Sequence, residues 1–179
     1  MKTVPSGTWI IDPTHSEVTF SVRHLMISKV KGSFNTFEGK IVTNGTPEET
    51  KVEGKIDTAS VDTNDKNRDG HLASPEFFDV EQFPEMSFVS TKVETKGKED
   101  YVLVGELTIK GVTKEVKLDV EFGGIAVDPY GQTKAAASAK TKISRSDFGL
   151  TWNVALESGG VLVGDDITIN LDIQAALQA

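Results

Sequence analysis

Along much of the chain apolar and polar side chains alternate one for one, which places successive residues on opposite faces of an extended strand. Val18, Phe20 and Val22 alternate with Glu17, Thr19, Ser21 and Arg23. Val116, Leu118, Val120 and Phe122 alternate with Lys117, Asp119 and Glu121. Ile167, Ile169, Leu171 and Ile173 alternate with Thr168, Asn170 and Asp172. Weaker alternation runs through 37–42, 52–61, 86–93, 101–109 and 134–143. One apolar and one wet face per strand is the pattern of antiparallel sheets. Turn residues separate the runs: Asn44-Gly45-Thr46-Pro47, Lys96-Gly97-Lys98, Lys110-Gly111-Val112, Asp128-Pro129-Tyr130-Gly131 and Ser158-Gly159-Gly160. About eight strands joined mainly by short turns predict an all-β fold, either an up-and-down barrel or a sandwich. Closure removes the edges that such strands would offer to aggregation, so a closed antiparallel barrel is expected.

One stretch, about 62–84, breaks the alternation and predicts a short helical insert. Asn64 or Asp65 is placed to cap a helix carrying Lys66, Arg68 and Leu72. Ser74, followed by Pro75 and Glu76, reads as a second helix start. Phe77, Phe78, Val80 and Phe83 make the insert unusually apolar for a connection, so it is expected to lie against one barrel end as a lid. Residues 1–179 read as one domain with no repeat or low-complexity tract.

Composition narrows the function. Nineteen Lys and Arg against 27 Asp and Glu give a net charge of -8, which repels a phosphate backbone and an anionic membrane surface alike. The absence of cysteine excludes disulfides, thiolate nucleophiles and thiolate metal sites. No apolar run has the length of a signal peptide or a membrane span, so a protein that is not membrane-embedded and stays in the cytoplasm is expected.

Candidate chemistry is sparse. The histidines are His15, His24 and His71, and no G-x-S-x-G elbow accompanies them. His24 shares the apolar face of Phe20 and Val22, so it should point inward near the end of its strand. A hydrogen-bonded histidine at the rim, a contact to a ligand head group and a catalytic base are its readings, in that order. Asp165-Asp166 lacks the spaced oxygen ligands of a calcium loop and reads as solvated turn charge. Nothing requires a metal or a cofactor, and no catalytic set emerges.

What remains is inward-facing apolar surface. Ala135, Ala137 and Ala139 share one face of their run while Lys134, Lys140 and Lys142 mark the other. Alanine also favours helices, but the lysines and flanking alternation fit a strand better. Methyl-sized wall residues in a barrel of about eight strands leave room inside for a ligand. Strand parity gives the wall as Phe20, Val22, Phe37, Ile41, Phe88, Leu107, Ile109, Val120, Phe122 and Phe148. Phe77 and Phe78 fall to the lid and Trp152 to the lining, with His24 and Arg145 at the rim. Arg145 reads equally as an ion-pair partner of Asp147 beside a turn.

Several segments, in order, carry a resemblance. They are Trp9-Ile10-Ile11-Asp12-Pro13-Thr14-His15-Ser16, then Lys31-Gly32-Ser33-Phe34 and Arg68-Asp69-Gly70-His71-Leu72. Phe77-Phe78-Asp79-Val80, Leu107-Thr108-Ile109-Lys110-Gly111-Val112-Thr113, Ser144-Arg145-Ser146-Asp147-Phe148-Gly149-Leu150 and Val163-Gly164-Asp165-Asp166-Ile167 follow. Across nearly the whole chain the sequence resembles the YceI family of polyisoprenoid-binding proteins. The resemblance implies a lipocalin-like barrel whose lumen holds an isoprenoid chain or similar lipid, such as a quinone tail or fatty amide. It also implies a homodimer, and many members are periplasmic. It brings no catalytic residues. Sequestration or transport of a lipid is therefore the expected function. The rivals are an enzyme acting on a lipid with His24 as acid or base, and a ligand-free structural or partner-binding barrel.

Overall fold

Eleven strand segments make eight staves, because three staves are broken by a kink. The computed structural model describes residues 4–157 and 159–179, so Met1 to Thr3 and the first residue of the Ser158-Gly159-Gly160 turn lie outside it. The first stave is β1 (Gly7–Ile11) with β2 (Glu17–His24), the second β3 (Ser28–Phe34) with β4 (Phe37–Thr43), and the third β5 (Lys51–Asp57) with β6 (Val61–Asp62). β7 (Glu85–Thr95), β8 (Asp100–Ile109), β9 (Val112–Val127), β10 (Thr133–Ser144) and β11 (Val163–Leu177) follow unbroken. Consecutive staves pair antiparallel. The ring closes where β11 pairs with β1 (Trp9 opposite Leu177) and with β2 (Phe20 opposite Ile169). The expected closed antiparallel barrel is the observed one.

Each kink has a local cause. Pro13–His15 forms a single 3-10 turn, capped by Asp12, whose carboxylate accepts from the Thr14 amide at 2.9 Å. The other two breaks sit side by side, at Asn35–Thr36 and at Thr58–Ser60. There Asn35 N–H bonds Ser60 O at 3.2 Å and Asp57 N–H bonds Thr36 O at 3.0 Å. Such breaks let long strands bend around a closed wall. β1 and β3 are absent from the alternating runs of the sequence, because GTWII carries no period-two pattern and in SKVKGSF Gly32 interrupts the alternation of Val30 and Phe34 with Lys29, Lys31 and Ser33. Pairing with neighbours makes them strands.

Two glycines let aromatic rings lie flat on the inner wall. A Cβ on Gly32 would fall 2.4 Å from Cζ of Phe20, and one on Gly105 would fall 2.4 Å from Cζ of Phe88. No side chain fits under either ring.

The insert contains one helix, α1 (Lys66–Ala73), capped by Asp65, which accepts from the amides of Asn67 and Arg68. The second helix start, at Ser74, is not used. Ser74 instead ends α1, its amide and hydroxyl both donating to His71 O. Residues 75–78 then form turns. The two phenylalanines there serve different partners: Phe77 packs against His71 and Trp152, and Phe78 against Phe34. Tertiary packing thus overrides a good local start signal.

The insert, the β2–β3 tip, the β8–β9 turn and the 145–162 connection gather at one end of the barrel. Lys110 Nζ donates to Pro75 O at 2.8 Å, and Leu25 N–H donates to Leu162 O at 2.9 Å. The opposite end holds the start of β1, the end of β11 and the remaining turns. Among the described residues no helix is long and apolar enough to cross a membrane.

Candidate functional site

The inner wall is uneven, and the unevenness makes the space. On β10 the inward side chains Ala137 and Ala139 sit between large neighbours, Ala137 opposite Phe122 and Ile173, and Ala139 opposite Val120 and Leu171. Methyl groups in place of larger side chains leave the lumen unfilled. A cavity of about 660 Å³ occupies the insert half of the barrel, and a second of about 260 Å³ occupies the opposite half. Ile41, Val52, Leu103, Val120, Ala137 and Ile173 border both, so the two chambers share a waist.

The residues named from the sequence all border this space. Phe20, Val22, Phe37, Phe88, Leu107 and Ile109 line the larger chamber, Ile41 and Val120 the waist, and Phe122 the smaller chamber. Phe77, Phe78, Phe148, Trp152, His24 and Arg145 border the larger chamber at its insert side. Sequence reasoning passed over Trp9 and Tyr101, which line the smaller chamber, and Val52 and Leu103 at the waist. Tyr101 and Leu103 share the parity of Leu107 and would have been found by extending it. Trp9 had no such signal, standing in a segment without alternation. It is 2% exposed, and its indole N–H donates to Thr43 Oγ1 at 3.0 Å.

Arg145 differs from its sequence reading. Asp147 is exposed and forms no ion pair with it. The 3-10 turn Arg145–Phe148 swings the guanidinium under the 145–162 connection, where carbonyls without strand partners need donors. Nε donates to Gly164 O at 2.8 Å, Nη1 to Leu150 O at 2.7 Å and Trp152 O at 3.0 Å, and Nη2 to Val163 O at 3.3 Å. Burial pushes this group below its ordinary pKa range, while Asp165 opposes that shift; an arginine nonetheless keeps its charge. Its role is that of a clamp closing the end of the barrel. Asp165-Asp166 also departs from its reading as turn charge, since both residues lie within β11. The Ser144 hydroxyl, then Ser146, hold the Asp165 carboxyl below the usual range.

Polar groups border both chambers: Thr43, Thr46, Thr50, Lys98, Glu99 and Tyr101 the smaller one, and His24, Arg68, His71 and Arg145 the larger one at its insert end. His71 makes edge contacts with Phe77 and Trp152, centroids 5.0 and 4.6 Å apart, and its Nε2 pairs with Glu76. Arg68 is turned onto Thr63, donating from Nε to the hydroxyl at 2.7 Å and from Nη2 to the carbonyl at 2.6 Å. The carboxylate-bound histidines are His15, with Asp12, and His71; His24 is not among them. Among the described residues no three His, Cys, Asp or Glu side chains are grouped to hold a metal ion.

Comparison with known proteins gives one consistent result. A family described as the YceI-like domain matches residues 9–175. A UPF0312 protein of Staphylococcus aureus strain MSSA476 is 39% identical over 161 residues, covering 87% of this chain and 90% of that protein. The crystal structure of a Campylobacter jejuni YCEI protein is 35% identical, with a TM-score of 0.74, covering 88% of this chain and 90% of that one. A polyisoprenoid binding domain from Saccharophagus degradans, implicated in plant cell wall breakdown, shares 14% identity and the fold, with a TM-score of 0.73 over 97% of this chain and all of its own.

Proposed function

The chain belongs to the YceI-like domain family, and from that premise we propose that its lumen binds the hydrocarbon chain of a long apolar lipid, an isoprenoid or similar tail, without transforming it. The observation that carries this reading is the two-chambered apolar space behind the alanine face of β10. An apolar cavity of roughly 150 Å³ stays dry and accepts a benzene ring. By that scale the larger chamber accommodates about 25 carbons, or five isoprene units, and the smaller about ten more. Each buried methylene-sized group contributes about 0.8 kcal/mol. Three five-carbon units thus give roughly 10 kcal/mol before the cost of immobilising the tail, enough for micromolar binding or better. The polyisoprenoid binding domain from Saccharophagus degradans supports the reading as a fold precedent.

The non-catalytic part rests on the same geometry. His24, the base of the rival enzyme reading, pairs with no carboxylate that would orient it, and the larger chamber it borders is lined overwhelmingly by apolar side chains. Binding without chemistry is sequestration or transport. Organic extraction of the purified protein followed by mass spectrometry tests this directly. One lipid per chain, unaltered on incubation with the protein, is the expected result. A clean extract from folded protein that also fails to take up added polyprenol would overturn it.

A further inference from the structure

The β2–β3 tip is built against local preference. Leu25 and Met26 occupy the two central turn positions with φ of 55° and 63°, where tight hairpins usually place Asn and Gly. Ile27 follows, and it is 83% exposed. The tip leans on the 145–162 connection: Leu25 N–H donates to Leu162 O at 2.9 Å, and a Cβ on Gly160 would lie 3.2 Å from Cγ of Met26. Exposed Val154 and Val161 sit on that connection, joined by its small ladder. Leu25, Met26, Ile27, Val154 and Val161 therefore form one apolar corner, and patches of this kind on monomers mark interaction surfaces.

Two further observations decide what the corner meets. The flanking charges are Arg23, Lys29 and Lys31, all exposed, with no acid between residues 18 and 37. Asp147 and Glu157 are the exposed acids of the facing connection, and exposed Asp165 and Asp166 follow it on β11 beside β2. At physiological salt charges are screened within about 8 Å, so the tip presents its own basic character rather than the net -8 of the chain. The corner also adjoins the lumen. His24, Leu162 and Val163 border the larger chamber, and so does Val30, on the stretch of β3 that pairs with β2 alone among the described residues.

We infer that this corner docks on a lipid bilayer bearing anionic head groups, with Leu25, Met26 and Ile27 entering the interface and Arg23, Lys29 and Lys31 facing the phosphates. Apolar burial combined with local positive charge is the chemistry of interfacial attachment. The surface stands on its own observations; its use for loading the lumen rests on the function proposed above.

The experiment is vesicle flotation of the purified protein, with phosphatidylcholine alone or mixed with phosphatidylglycerol. Wild type is expected to float with the mixed vesicles and to be released by salt. Ile27→Asp should reduce the bound fraction about tenfold, at an unchanged melting curve, since Ile27 packs on little. Lys29→Glu with Lys31→Glu should abolish the preference for phosphatidylglycerol. Val127→Asp, at the opposite end, should float like wild type. Wild type that stays behind, or Ile27→Asp that floats undiminished, overturns the inference. So does light scattering that shows a wild-type dimer dissolved by Ile27→Asp, which would make the corner a contact between copies. Flotation does not read cargo, so its failure leaves the extraction result standing.

Discussion

The two chambers of the lumen are built from different materials. The larger is walled by aromatic rings, with Phe20 5.5 Å from Phe34 and Phe34 5.6 Å from Phe78, and is closed by polar groups held in place by one another. The smaller is lined by Ala135, Ala137 and Ala175 together with three aromatic residues, Trp9, Tyr101 and Phe122, and by Thr43, Thr46, Lys98 and Glu99. The rings fix a shape, while the alanines leave a space that a chain of carbons fills without regard to substituents. We take the proposed ligand to place its head group near His24 and His71 and the far end of its tail among the alanines.

The comparison breaks most severely at the clamp. Arg145→Ala removes a buried cation whose guanidinium donates to four carbonyls, one of which, Val163 O, also accepts from Asn153 Nδ2 at 2.7 Å. Leaving several buried acceptors unpaired costs about 3 kcal/mol or more. The expected result is a large fall in the urea midpoint at similar slope. Arg145→Lys should restore little, because an ammonium cannot reproduce the planar fork. A midpoint unchanged in Arg145→Ala would mean that the large chamber closes without the clamp.

Phe122→Glu addresses the other chamber. A carboxylate there must be desolvated or protonated when a tail enters, which costs about 3 kcal/mol or more and weakens lipid retention by at least a hundredfold. Lys117→Glu, exposed on the opposite face of the same strand, should retain lipid as wild type does. Equal retention in both variants would show that the tail never reaches the alanine chamber. Ala137→Trp sharpens the point at the waist. Overpacking there costs about 1–3 kcal/mol of stability. If the direction is right, the extracted tails shorten by about ten carbons, the content of the smaller chamber on the benzene scale. Tails of unchanged length would place the whole ligand in the insert half.

How much of this was legible depends on what kind of signal each part leaves. Parity along regular strands identifies an inward face wherever alternation is strong, which is why Phe20, Val120 and Phe122 border the lumen as expected. The alanine face of β10 was readable for the same reason, because Lys134, Lys140 and Lys142 fix the wet side. Trp9 left no periodic trace, and β3 only a weak one broken by Gly32, since their extended form is completed by neighbours in the ring. The Ser74 signal was real but lost to the packing of Phe77 and Phe78. Arg145 misled for another reason. Sequence offers Asp147 as a nearby charge, whereas the satisfied partners are carbonyls up to 19 residues away, which no pattern of side chains announces.

The smallest effect concerns the joint between the chambers. Asp12 lies between β1, which brings Trp9 to the smaller chamber, and β2, which brings Phe20 to the larger. The Thr14 hydroxyl at 2.7 Å, His15 at 2.8 Å and the Thr14 amide hold its carboxyl well below the usual carboxylate range. A pKa depressed in the folded state means that the unfolded chain binds the proton first as pH falls. The stabilisation is therefore complete above the unfolded value of about 3.9 and is lost as pH drops below it towards the folded value. Asp12→Asn should remove this part of the acid limb, lowering stability at neutral pH by about 1 kcal/mol, a modest figure because the site is partly exposed. The two proteins should then converge in stability as pH falls below about 4. A constant gap between them across that range would mean that Asp12 acts through shape alone and that the joint is indifferent to its charge.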